Sequence, residues 1–154
     1  MKIDFVITWV DDSDPEWRKE RKKYSDTKID EKRFRDWDFL KYWFRSIEIN
    51  APWVNKIYFI TYGHLPKWLN IKNEKLVIIN HKDYIDSKYL PTFNSCVLEI
   101  NMHKIRELSE HFVYFNDDMF IIDKVKPTDF FVDGLPCDSI FMKRIWSRKI
   151  MATL

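Results

Sequence analysis

Asn116-Asp117-Asp118 ends an apolar run, HFVYFNDDMF from His111 to Phe120, and sets two adjacent carboxylates where a hydrophobic segment stops. Adjacent acids repel each other and are costly to bury unpaired, so a divalent cation is their natural partner, and a cation there can hold a diphosphate. The same tripeptide is also ordinary turn chemistry, because short polar side chains bond back to their own backbone. A second acidic group, Asp11-Asp12-Ser13-Asp14-Pro15, follows the stretch Lys2 to Val10. Ser13 or Asp14 before Pro15 makes a helix start, and for Asp14 capping is the preferred account. Glu99 and His103, four apart, share a helix face, but such a pair is more often a surface contact than a metal site.

The elements that must position these groups follow from periodicity. Phe112 and Tyr114 fall on one side of a strand, with Val113 and Phe115 on the other, which predicts a strand buried on both faces. Lys2 to Val10 is rich in Val, Ile, Phe, Thr and Trp and predicts the first and central strand. Both stretches end in acids, and in open α/β sheets the rim at the strands' carboxyl ends is where ligands bind. Trp17 to Arg35 is charged and nearly without an apolar stripe, so it reads as an exposed helix and a loop. Asp36 to Asn50 predicts an amphipathic helix with Lys41, Arg45 and Glu48 outward, stopped by Ala51-Pro52. Strands follow at Asn55 to Thr61 and Lys75 to Asn80, with a short helical turn at Pro66 to Leu69 between them. Asn94 or Ser95 caps a further helix whose apolar stripe is Leu98, Met102 and Ile105. Thr128 to Phe131 reads as a short capped turn and Asp138 to Met142 as a final strand. The expected fold is an α/β open sheet, mostly parallel, with flanking helices.

Bulk properties narrow the function. The 154 residues suit one domain with a real core, and 45% hydrophobic with 17% aromatic residues excludes a disordered chain. A net charge of +2 advertises no nucleic-acid partner, and the basic cluster Arg18 to Lys23 reads as a solvated helix face. The rival reading, a single-strand nucleic-acid module, would use the aromatics together with this cluster and the basic C-terminal residues. Two cysteines, Cys96 and Cys137, form no zinc pattern. Two glycines rule out a glycine-rich phosphate loop, which leaves cations, arginines and helix N-termini to hold a phosphate. No stretch is long and apolar enough for a membrane helix, so any meeting with a membrane is expected to be peripheral.

Several blocks together resemble one family. TWVDDSDP at Thr8 to Pro15, RFRDWDFLKYWFRSIEINAPWVNKIYFIT at Arg33 to Thr61, GHLPKWLN at Gly63 to Asn70, LPTFNS at Leu90 to Ser95 and HFVYFNDDMF are similar to the Stealth proteins. These are bacterial capsular polysaccharide phosphotransferases, related to the eukaryotic GlcNAc-1-phosphotransferase. The resemblance implies a sugar-1-phosphate transferase on a fold similar to GT-A glycosyltransferases, acting from a nucleotide sugar, UDP-linked, on a polysaccharide hydroxyl at the cytoplasmic face of a bacterial membrane. It implies that Thr8, Trp9, Val10 and Asp11 lie beside the nucleotide, and that Asp117 and Asp118 hold magnesium or manganese, one of them alternatively serving as base. Arg35 and Arg45 would carry electrostatic roles, although Arg35 could equally pair with Asp36 or Asp38. Asn94, Ser95 and His103 are contacts by family position, while capping alone would explain the first two. Asp12 and Tyr62 depart from the usual family pattern, Asp12 standing where Gly is usual. The match covers the first two of the family's four blocks, without the later ones and their catalytic histidine and arginine. The expectation is therefore a nucleotide-sugar-binding domain over 1–142, with 143–154 a basic tail or truncation point.

Overall fold

The computed structural model describes residues 1–24 and 38–138. Among them, β1 (Asp4–Trp9), β2 (Ile57–Thr61), β3 (Leu76–Asn80) and β4 (Phe112–Phe115) form one parallel sheet in the order β3-β2-β1-β4. The α/β open sheet expected from the sequence is thus present, with β1 internal. Its register runs from Phe5 opposite Ile57 to Trp9 opposite Thr61, and from Asp4 opposite Phe112 to Ile7 opposite Phe115.

Each strand is apolar on both faces because helices cover both. On one face Phe5, Ile7, Trp9, Phe59, Val113 and Phe115 pack with Trp43 and Ile47 of α2 (Leu40–Asn50). On the other, Val6, Tyr58, Ile60, Phe112 and Tyr114 pack with Leu98 of α3 (Ser95–Asn101) and with Met102 and Ile105 just beyond it. The side assignment of Phe112 to Phe115 matches the alternation read from the sequence.

Helix ends follow local chemistry. Asp14 caps α1 (Pro15–Tyr24): its Oδ1 accepts the amides of Glu16 at 2.8 Å and Trp17 at 2.9 Å. Asn94 caps α3 by accepting the amide of Cys96 at 3.0 Å. Trp17 is the one buried residue of α1 and lies edge-on to Phe93, with the Arg21 guanidinium 5.2 Å above its ring. The helix α2 starts later than the predicted Asp36, because Asp38 has φ 56, a left-handed conformation that a helix cannot continue through. Lys41, Arg45 and Glu48 face outward as its period requires.

At the amino end of the sheet, Asp4 is fully buried yet accepts three hydrogen bonds. Its donors are Asn55 Nδ2 at 2.6 Å, the Lys56 amide at 3.1 Å and the Ser109 amide at 2.8 Å. It ties the approaches to β2 and β4 to the start of β1.

The chain then makes a 3₁₀ turn over Pro127–Asp129 and a small antiparallel hairpin of β5 (Phe131–Val132) and β6 (Leu135–Pro136). Asp133 and Gly134 form its turn, both with positive φ. The sequence reading missed this hairpin, although Asp-Gly is a strong hairpin signal, because only two residues flank it on each side. The final strand predicted over 138–142 lies mostly outside the described residues, and Asp138 itself is not in a strand.

Candidate functional site

Because the four strands run the same way, their carboxyl ends share one rim, where the loops after Trp9, Thr61, Asn80 and Phe115 lie together. From β1 the chain places β2 and β3 on one side and β4 on the other. That change of direction between β1 and β4 is the point where open α/β sheets leave a ligand crevice.

A hydroxyl network spans this crevice. Thr8 Oγ1 lies 3.1 Å from Tyr114 Oη, which also reaches Asn116 Oδ1 at 2.9 Å and Glu99 Oε1 at 3.4 Å. Partial burial is the main cause that raises the Tyr114 phenol above its ordinary range, so it stays neutral and keeps its proton to donate. Asn116 is positioned by this contact, and Asp117 and Asp118 follow it as exposed residues at the rim.

The loop after β1 is built differently. Asp11 Oδ1 accepts both the amide and the hydroxyl of Ser13, at 2.8 and 2.6 Å. The Asp11 amide donates to His64 Nε2 at 2.6 Å, and His64 Nδ1 lies 3.4 Å from Asp14 Oδ2. The Trp17 amide is the leading cause that lowers the Asp14 carboxyl, with His64 a smaller one. Trp9 stacks on Phe59 and meets His64 edge-on at 5.3 Å. Beside this loop is a hollow of about 340 Å³ lined by Trp9, Asp11, Asp12, Asp38, Leu40 and Trp68, among others. Carboxylates accept hydroxyl donors and indoles pack against sugar C–H faces, so the hollow's chemistry suits a sugar better than a bare phosphate.

The structure distributes the expected residues unevenly. Trp9 and Asp11 line the hollow; Thr8, one residue earlier and so on the opposite face, joins the Tyr114 network instead. Val10 lies half-buried between them. Asp117 and Asp118 stand across the β1–β4 crevice and do not line the hollow. Arg45 lines a neighbouring groove of about 920 Å³ with Phe44, Glu48, Trp68 and Lys75, which shares Trp68 with the hollow but is not lined by Asp11. The side chain of Asn94 is engaged in its cap, and Ser95 is exposed beside it. His103 is exposed on a 3₁₀ turn with Nδ1 2.9 Å from the Ile100 carbonyl, while Glu99 turns to Tyr114, so the two do not pair. Arg35 lies outside the described residues. Among the described residues no three of His, Cys, Asp and Glu converge as a ready metal cage, and no helix is long and apolar enough to cross a membrane.

Sequence reasoning overlooked His64, Tyr114 and His81. The first follows Gly63 directly at a strand end, which was a usable signal; Tyr114 looked like one more core aromatic. His81, just past β3, is 4% exposed, and neither ring nitrogen has a hydrogen-bond partner among the described residues. Burial chiefly, with His64 nearby, holds its imidazole down to about 4.

Fold and site together define an open parallel α/β protein with a ligand crevice at the β1–β4 switch and an acidic, indole-walled hollow beside it. The chain belongs to the Stealth family: residues 1–29 match Stealth protein conserved region 1 and residues 33–137 match conserved region 2. It is similar to a capsular polysaccharide phosphotransferase of Streptococcus pneumoniae, 55% identical over 87% of this chain and 42% of the relative. A receptor polysaccharide phosphotransferase of Streptococcus oralis is 52% identical over 88% of the chain and 43% of its own length. An exopolysaccharide phosphotransferase of Lactiplantibacillus plantarum is 50% identical over 93% and 43%. The chain therefore spans less than half the length of these relatives.

Proposed function

We propose that this chain is the donor-binding portion of a phosphotransferase that moves hexose 1-phosphate from a nucleotide sugar to a hydroxyl of a capsular or cell-surface polysaccharide, releasing nucleoside monophosphate. The observation that carries the reading is that the Asp11 loop and the Asn116-Asp117-Asp118 loop follow the neighbouring parallel strands β1 and β4, on either side of the switch in strand order. Relatives at 50 to 55% identity with phosphotransferase names support it. A location at the cytoplasmic face of the bacterial membrane is part of the same proposal.

In this reading Trp9 and Asp11 line the sugar side of the donor, and Asp117 and Asp118 face its diphosphate. Magnesium and manganese favour oxygen donors, and such ions are commonly held by one or two carboxylates together with substrate phosphates. Two adjacent exposed carboxylates, with no group of three His, Cys, Asp or Glu gathered among the described residues, fit that donor set. A bound ion would neutralise charge on the phosphate under attack. The acceptor hydroxyl attacks the phosphorus next to the sugar and the bond to the nucleoside phosphate breaks. Alternatively, one of the two carboxylates is not an ion ligand but takes the hydroxyl proton, a role that requires hydrogen-bond reach of the acceptor. Positioning and charge stabilisation carry most of such a reaction. Arg35 is assigned to the charge on the phosphates, and Tyr114 holds Asn116 so that the acids after it keep their place.

Calorimetry with a panel of nucleotide sugars, with and without manganese or magnesium, tests the reading. Metal-dependent binding that Asp117→Asn and Asp118→Asn each weaken is the expected result, and binding indifferent to both ion and carboxylates would sink it. Because the chain spans 42–43% of the relatives just named, a donor-binding unit without turnover is the second reading. Where turnover occurs, release of UDP in place of UMP would mark glycosyl transfer instead.

A further inference from the structure

We propose that His64 is the positioning residue of the donor loop: its ring, in the tautomer Asp14 selects, holds the Asp11 amide and so sets where Trp9 and Asp11 stand in the hollow. The inference rests on the reading of that hollow as part of the donor site.

The Asp11 amide can only donate, so Nε2, 2.6 Å away, must be the unprotonated nitrogen. The proton of a neutral ring then sits on Nδ1, which faces Asp14 Oδ2 at 3.4 Å. Asp14 is a firm anchor, because its other oxygen caps α1 through the amides of Glu16 and Trp17. The backbone of His64 is fixed as well: Thr61 Oγ1 donates to its carbonyl at 2.7 Å. One side chain thus fastens the loop after β1 to the end of β2 and to the start of α1. The charged and titratable neighbours are Asp14 on Nδ1, Asp11 through its backbone, Asp12 held by Arg18, and His81 and Tyr62 from the β2–β3 side.

Two readouts on the chain as it exists test this, one of them independent of any ligand. Hydrogen-exchange protection of the Asp11 amide, followed by NMR, should be lost in His64→Ala and kept in His64→Gln, whose carbonyl oxygen replaces Nε2 as acceptor. Asp14→Asn keeps the helix cap but offers Nδ1 a donor, which moves the ring proton to Nε2, so it should also lose protection. UDP-glucose or UDP-N-acetylglucosamine, whichever the wild type binds in the presence of manganese, should bind about fivefold more weakly to His64→Ala, the worth of one hydrogen bond. Unchanged Asp11 protection in His64→Ala, or equal affinity for that UDP-sugar in the variant and the wild type, overturns the proposal. If the wild type binds neither UDP-sugar, it is the donor reading that fails, and Asp11 protection alone then decides the role of His64.

Discussion

The phenol of Tyr114 on β4 stands 3.1 Å from the hydroxyl of Thr8 on β1, two residues 106 apart in sequence that meet where the strand order changes direction. The same phenol reaches Asn116, so the sheet's interior is linked to the acids at its rim. Tyr114→Phe removes this link while leaving the ring in its packing. A loss of about 1 kcal/mol in urea denaturation is expected, the net worth of a typical hydrogen bond. Metal-dependent UDP affinity should fall as well, which distinguishes an oriented Asn116 loop from a merely packed one.

Asp4 is a point of fragility. The carboxylate of this fully buried residue satisfies one side-chain and two backbone donors, all on part-buried residues, so Asp4→Ala leaves three donors without their acceptor. Each stranded donor costs roughly 1–3 kcal/mol, and a total of about 3 kcal/mol is expected from chemical denaturation. Asp4→Asn should recover little of it, because its amide turns one donor toward another.

His81 predicts an acid-side decline in stability. Its imidazole is held at about 4 against an ordinary 6.5, so between those values the unfolded chain binds the proton more readily than the folded one. The contribution is fully present above pH 6.5 and is lost as pH falls toward 4, amounting to about 3 kcal/mol. Urea midpoints measured across this window should show the decline, and His81→Leu should flatten it. At neutral pH that substitution should be close to neutral, since neither ring nitrogen has a hydrogen-bond partner to lose among the described residues.

Gly63 turns the chain out of β2 with φ +131, and a Cβ there would stand 3.1 Å from Asn80 Nδ2, itself donating to the Tyr62 carbonyl at 3.0 Å. Gly63→Ala is therefore strained in backbone and in space. A cost of about 1–3 kcal/mol, seen as a lower thermal midpoint, is expected.

By itself the sequence determined what depends on near neighbours. The two-residue period of Phe112 to Phe115, the outward face of α2 at Lys41, Arg45 and Glu48, and the caps at Asp14 and Asn94 were all legible, because each is decided within a turn or a strand. The family motifs likewise lie in the linear text. Only the tertiary structure decided that Thr8 meets Tyr114 across 106 residues, that Arg45 lines a groove apart from Asp11, and that His64 reaches back 53 residues to hold the Asp11 amide. These facts depend on which strands lie side by side. Strand order is settled by how both sheet faces are covered at once, and no local stretch of residues carries that information.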